Sequence, residues 1–230
     1  MPARVSPLGD AALLVAFEPV IDEALNARVL ALAASLRERG LAGVRDVVPA
    51  YASCAVHFDP LRTDRTLLEA EIAAALAASP LSGSAVPRGS TVRIPVCYGG
   101  SFGPDLAAVA AVSGLSEQDV VALHAEREYR VFMIGFLPGF AYLGPVDERI
   151  AVPRRDAPRP LVPRGSVGLA GRQTGVYPLD APGGWPIIGR TFVRLFDPDR
   201  DVPSVLSPGD RVRFVPVDAE AAEPPRGVRE

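Results

Sequence analysis

YRVFMIGFLPGFAYLGPVDERIAVPRRDAPRPLVPRGSVGLAGRQTGVYPLDAPGGWPIIGRT, residues 129–191, is the stretch that decides how this chain folds. Gly and Pro recur so densely in it that long regular helices are excluded and many turns are fixed in place. Phe132, Met133, Ile134, Phe136, Phe140, Tyr142, Tyr177, Trp185, Ile187 and Ile188 carry more apolar and aromatic material than a disordered segment does, so the loops are sculpted around their own side chains. Short apolar runs at 131–136, 167–170 and 175–177, continued at 192–196 and 212–215, predict short strands. Many short strands between turn signals predict a closed barrel or a sandwich.

Upstream of this stretch the pattern changes. Two short helices are predicted at 104–112 and 117–126, the second opened by the capping pair Ser116 and Asp119. Residues 80–90, PLSGSAVPRGS, read as a linker. Before it, 11–17 is a strand, and Ile21, Leu25, Val29, Leu32 and Leu36 recur at helical spacing, with Asp22 and Glu23 at the start, Arg37 and Arg39 at the end, and Gly40 as the stop. Strands follow at 44–48 and 51–58, then a helix over 64–78 with Leu68, Ile72 and Leu76 on one stripe. This β-α-β-β-α order, completed by a strand at 91–97, predicts a ferredoxin-like split βαβ domain. The expected organisation is therefore an α+β domain over 1–85, a mostly-β barrel domain over 86–217 and a disordered tail over 218–230.

Composition narrows the chemistry. The chain has 230 residues, 48% of them hydrophobic, and a formal net charge of -3, which gives no basic field for nucleic acid. The charge-free run between Arg130 and Asp147 is too short and too broken to span a bilayer. No secretory signal pattern precedes residue 18, and the two cysteines, Cys54 and Cys97, suit reduced thiols, so a cytoplasmic location is expected. All 24 cationic residues are Arg and none is Lys. Schiff-base chemistry, Lys-dependent phosphate loops and kinase-type Lys–Glu pairs are thereby excluded, and any anion must be held by Arg or by backbone amides.

Several constellations could carry chemistry. Arg149, Arg154, Arg155, Arg159, Arg164 and Arg172 form a basic group braced by Pro, opposed locally only by Asp147, Glu148 and Asp156, and planar guanidinium forks of this kind bind carboxylate or phosphate. Gly171-Arg172-Gln173-Thr174-Gly175 is a turn that can present several donors to one ligand. Gly183-Gly184-Trp185 and Gly189-Arg190-Thr191 have the same character. His124, beside Val120 and Val121 on a short helix, is either a proton-handling side chain or a core histidine. HExxH and GxSxG are absent, and two His residues 67 positions apart, His57 and His124, give no metal site. Asp or Glu could still hold Mg2+ alongside substrate phosphates.

GFLPGFAYLG at 135–144, the run from VPRRDAPRPLVPRGSVGLAGRQTGVYPLDAPGGW and IGRT at 188–191 closely resemble the 5-oxoprolinase B-subunit family, also called allophanate hydrolase subunit 1 or KipI. GDAALLVAF, VRDVVPAY at 44–51, YGGSFGPDL at 98–106 and LSEQDVVALH at 115–124 extend the resemblance over nearly the whole chain; Pro145 replaces the usual second Gly after AYLG. The resemblance implies a small α+β domain followed by a cyclophilin-like barrel, working with the C-subunit and the A-subunit of 5-oxoprolinase in the ATP-dependent opening of 5-oxoproline to glutamate. It also implies two other roles: urea-type carboxyl transfer or hydrolysis, and inhibition of a sensor histidine kinase. On the enzyme reading, His124, Arg172 and Gln173 are the expected catalytic residues and Phe136, Phe140, Arg155, Thr174, Tyr177 and Arg190 the expected substrate-binding ones. The ATP site is expected to be shared with a partner polypeptide, and the chain to be inactive alone.

Overall fold

The computed structural model describes residues 3–78 and 91–218 and divides the chain into two compact units, Met1–Arg88 and Gly89–Glu230. The 80–90 linker and all of the tail beyond residue 218 lie outside the described residues.

The first unit is an antiparallel sheet with two helices. Its elements are β1 (Arg4–Pro7), β2 (Ala12–Ala16), α1 (Glu23–Glu38), β3 (Val44–Pro49), β4 (Ser53–Phe58) and α2 (Arg65–Ala78). Asp22 caps α1 by accepting from the Leu25 N–H at 2.8 Å, which satisfies one of the orphan amides of the first turn. The sheet order is β1-β2-β4-β3. Leu13, Val15, Val47 and Val56 from the sheet meet Val29, Leu32 and Leu36 from α1 and Leu68 and Ile72 from α2 in one core. Each such side chain contributes about 1.5–3 kcal/mol on burial. The ferredoxin-like expectation needs correcting at the sheet's edge. The strand beginning at Thr91 belongs to the second unit, and the edge beside β2 is taken by β1, which pairs through Arg4↔Ala16 to Pro7↔Leu13. The hairpin turn at Gly9 lets the chain fold back at once and fill that edge locally.

The second unit is built on a closed seven-stranded barrel. Its elements are β5 (Thr91–Tyr98), α3 (Leu106–Ser113), α4 (Glu117–Ala125), β6 (Glu128–Ile134), β7 (Ala141–Gly144), a 3-10 turn (Glu148–Ile150), β8 (Arg159–Val162), β9 (Ser166–Ala170), β10 (Gln173–Val176), β11 (Ala181–Gly183), β12 (Ile187–Arg190) and β13 (Arg211–Pro216). The barrel order is β10-β7-β6-β13-β5-β12-β9, and β8 and β11 form a separate two-stranded ribbon. One pairing is parallel, β5 with β13, in register from Arg211↔Thr91 to Pro216↔Val96. Ser116 and Asp119 form the predicted reciprocal cap on α4. The expected strand at 192–196 is absent: this segment is a loop that pairs only at the isolated Phe196↔Ser204 bridge, where the Val205 N–H donates to the Leu195 carbonyl at 2.9 Å.

Ile94, Val96, Tyr129, Val131, Leu143, Val167, Leu169 and Phe214 fill the barrel. A smaller cluster, Phe140, Val162, Ala170, Tyr177, Trp185 and Ile187, is a second body of apolar packing where the β8–β11 ribbon lies. The Gly144–Pro145 peptide is cis. No single helix among the described residues is long and apolar enough to cross a membrane.

Candidate active site

The aromatic cluster forms the floor of a cavity of about 280 Å³ lined by Phe136, Phe140, Tyr142, Tyr177, Trp185, Arg154, Arg155, Pro158 and the Pro182–Gly184 turn. Phe140 is the hub. Its ring meets Tyr142, Tyr177, Trp185 and Phe136 edge-on at centroid distances of 4.9, 5.3, 5.5 and 5.5 Å. Edge-to-face pairs of this kind add about 0.5–1.5 kcal/mol each beyond burial, so the floor is rigid. Phe136 is different: it stands 61% exposed, with a left-handed backbone at φ 72°. A bulky side chain held at positive φ and turned to solvent is strain of the kind that collects at ligand sites.

Glycine makes room for this floor. A Cβ on Gly183 would lie 2.3 Å from the Tyr177 hydroxyl oxygen, so only glycine lets that phenol reach the turn. Burial raises the Tyr177 pKa, opposed by a hydrogen bond from the Trp185 main chain and by the charge of Arg154. Burial likewise raises that of Tyr142, again against Arg154. Both phenols are therefore neutral at physiological pH, and Arg154 is close enough to act on both.

The six arginines expected to form one anion site are distributed among separate places. Asp105, buried beside the start of α3, accepts a two-pronged contact from Arg159 at 2.8 and 2.8 Å, one from Arg155 at 3.1 Å and the Ile187 N–H at 2.6 Å. Burial pushes its carboxyl pKa up, but the Arg159 contact, the Ile187 amide and the two cationic charges outweigh this and leave it lowered. Arg149 and Arg127 share Asp147, and Arg172 meets Glu148 at 3.4 Å. Arg164 lies in another cavity with Arg190 and Arg194. Arg154 alone of the six lines the aromatic cavity without a carboxylate partner among the described residues.

Of the nine residues expected at the site, the structure gathers Phe136, Phe140, Arg155 and Tyr177 in this cavity. His124 is not among them. Its ring is fully buried, stacked on Phe214 at 4.6 Å and hydrogen-bonded at both nitrogens. The Thr174 hydroxyl donates to the Gly168 carbonyl at 3.0 Å, so it accepts from His124 Nε2 at 2.9 Å, which leaves Nδ1 to accept from the Tyr98 hydroxyl at 2.7 Å. Burial pushes the His124 pKa down to about 3. The imidazole is a neutral strut inside the barrel and cannot exchange protons with a ligand, which corrects the proton-handling role expected of it. Thr174 is fully buried as its partner. Arg172 and Gln173 sit at the β9–β10 turn and Arg190 at the end of β12, and none of the three lines the aromatic cavity.

Sequence reasoning missed Asp105, although it lies within the motif YGGSFGPDL; a lone acid before a helix gives no sign that two distant arginines will close on it. Cys54 and Cys97 are both free thiols. No group of three or more His, Cys, Asp or Glu that could hold a metal ion occurs among the described residues.

The family described as carboxyltransferase domain, subdomain C and D, matches residues 3–206. The 5-oxoprolinase B-subunit of Bacillus subtilis (strain 168) is 40% identical over 222 residues, covering 92% of each chain. That of Escherichia coli O157:H7 is 45% identical over 214 residues, covering 93% of this chain and 96% of its own. Among solved structures, TTHA0988 superposes with a TM-score of 0.79 at 40% identity over 90% of this chain, which spans 40% of the length of that one. Identity at this level with mutual coverage above nine-tenths, on top of the domain match, means that this chain belongs to the 5-oxoprolinase B-subunit family.

Proposed function

We propose that this chain is one component of an ATP-dependent hydrolase that opens the lactam of 5-oxoproline, and that the aromatic cavity holds the lactam ring. The observation that carries this reading is the pairing of an aromatic box of about 280 Å³ with a single cation, Arg154, that has no carboxylate partner among the described residues. A five-membered lactam bearing one carboxylate matches both parts: the ring stacks among Phe136, Phe140, Tyr142, Tyr177 and Trp185, and the carboxylate meets the Arg154 fork.

A lactam carbonyl is a weak electrophile. Transfer of a phosphoryl group from ATP to its oxygen, with loss of the ring N–H proton to a base, makes the ring carbon attackable. Water adds there, the C–N bond breaks as the nitrogen takes up a proton, and a second water releases phosphate from the acyl phosphate. One lactam, one ATP and two waters thus give glutamate, ADP and phosphate.

The cavity lining contains no carboxylate and no imidazole. A proton acceptor supplied by another polypeptide would fit this lining, in keeping with a site completed by the C-subunit of 5-oxoprolinase, with the A-subunit required for turnover and this chain inactive alone. Any Mg2+ that accompanies the nucleotide would take ligands from the phosphates and from a partner, because the described residues of this chain gather no such set. The test is co-expression with candidate C- and A-subunits, followed by an assay of ATP-dependent loss of 5-oxoproline. The intact complex should turn over, and Arg154→Ala should raise KM for 5-oxoproline about 10–100-fold while the complex still forms. A stable complex that never consumes 5-oxoproline, or an Arg154→Ala complex with unchanged KM, would sink the reading.

A further inference from the structure

A second cavity, of about 260 Å³, lies between the loop after β8 and the segment after β12, lined by Arg164, Gly165, Pro178, Arg190, Thr191, Phe192, Val193 and Arg194. Three of its walls are arginines and none is acidic. We propose that this groove binds an oligophosphate chain, such as that of a nucleoside triphosphate.

The backbone of the groove is built by specific contacts. Gly165 has φ +81°, and a Cβ there would lie 2.0 Å from the Thr191 carbonyl oxygen, so only glycine lets the two segments approach this closely. The Thr191 N–H donates to the Gly165 carbonyl at 2.9 Å, and Arg190 Nε donates to the Arg164 carbonyl at 2.9 Å. That bond fixes Arg190 at its inner nitrogen, and no salt bridge engages its terminal nitrogens among the described residues. Its guanidinium also lies 5.8 Å from the centre of the Phe192 ring.

Carboxylates are near but do not neutralise the group. Asp180 accepts from the backbone N–H of Arg164 at 2.7 Å, not from its guanidinium, and Asp197 pairs with Arg194 at 3.1 Å while also serving Arg200. Neither Arg164 nor Arg190 has a carboxylate partner among the described residues. Gathering like charges around one concavity costs free energy unless an anion occupies it, and planar forks of this type match phosphate oxygens better than a single point charge would. Because this chain lacks Lys, its only cationic side chains for a phosphate chain are arginines such as these. The proposal deepens the ATP-dependent reading by giving the phosphates a place on this polypeptide, and rests on it only for the nucleotide. Its test reads binding, not turnover, so the two can fail separately.

The full chain is titrated calorimetrically with sodium tripolyphosphate, with ATP and with inorganic phosphate at fixed ionic strength. Tripolyphosphate should bind, with an affinity that falls as salt is raised. Arg164→Ala and Arg190→Gln should each weaken it about tenfold, the loss of one charge-assisted contact, while Arg154→Ala in the other cavity leaves it unchanged. Tighter binding of ATP than of tripolyphosphate identifies a nucleotide as the occupant, and equal binding identifies the phosphate chain alone. Absence of binding by either polyanion, or an affinity unmoved by both Arg164→Ala and Arg190→Gln in variants with wild-type circular dichroism, overturns the proposal, as does equal weakening by Arg154→Ala.

Discussion

Arg154 and Arg155 are adjacent in sequence, and the structure gives them opposite tasks. Arg155 turns to Asp105 and joins the clamp on that buried carboxylate; Arg154 has no such partner and stays on the rim of the aromatic cavity. Asp105 decides the difference, since it holds Arg155, Arg159 and the Ile187 amide at once. Removing one member of so connected a group leaves cations and an amide without their acceptor, so Asp105→Ala should cost about 3 kcal/mol in denaturant unfolding. The same carboxylate makes stability depend on pH. Its pKa is lowered in the folded state, so its contribution is complete above the unfolded value of about 3.9 and is lost as pH falls through the lower folded value. Asp105→Asn should be less stable than the wild type at neutral pH, with the gap closing as pH falls below about 4. A gap that stayed constant with pH would show that packing, not ionisation, sets the cost.

At the scale of elements, the signals that were legible in sequence were the periodic ones. α1, α2, α3 and α4 lie where stripes, caps and stops put them, and β9, β10 and β13 overlap the expected runs, with β10 starting two residues earlier at Gln173. The ribbon of β8 and β11 was not legible, because APG and RPLV are short, Pro-bearing and without alternation. Nor was the absence of a strand at 192–196. FVRLF, four apolar residues around Arg194, satisfies strand patterning equally well as a loop that buries Leu195. The arginine group shows the same limit at longer range. Nearness along a Pro-rich chain predicts one site, but extended segments send successive side chains to different faces, and the partner of Arg155 and Arg159, Asp105, is about fifty residues away in sequence. The ribbon matters because its turn carries Gly183. Gly183→Ala would place a methyl 2.3 Å from the Tyr177 hydroxyl, and the neighbour in the way is a buried ring locked by Phe140. The expected outcome is a loss of about 1–3 kcal/mol and a weaker grip on 5-oxoproline, read by thermal melting and by KM in the assembled complex. A variant with both quantities unchanged would show that the turn relaxes freely and that Tyr177 does not shape the cavity.

At the scale of the molecule, the two units carry separate cores and different titratable groups, so their expected responses to acid differ. In the first, the carboxyls held low, Asp59 and Asp64, are at the surface, each through local contacts: Asp59 to the Arg45 side chain and the Leu61 amide, Asp64 to Thr66. They titrate only below about pH 4 and contribute little. The barrel contains His124, enclosed by Tyr98, Tyr129, Thr174 and Phe214, with a pKa pushed down to about 3 by burial. Unfolding exposes that imidazole, whose ordinary pKa is about 6.5, so the unfolded chain binds a proton that the folded barrel refuses. Stability is therefore full above about pH 6.5 and declines below it by up to roughly 1.4 kcal/mol per pH unit, with Asp105 adding to the loss only below about pH 4. Trp185, the single tryptophan, belongs to the second unit and reports on it alone, whereas far-UV circular dichroism sees both. On acidification the Trp185 fluorescence transition should precede the loss of far-UV signal, giving two midpoints where a single cooperative unit would give one. His124→Gln retains an amide for hydrogen bonding but cannot titrate, so it should lower stability at pH 7 and flatten the fluorescence-detected decline between pH 6.5 and 4. Coincident midpoints in the wild type, or an unchanged slope in His124→Gln, would mean that the acid response of the barrel is set by groups other than its buried imidazole.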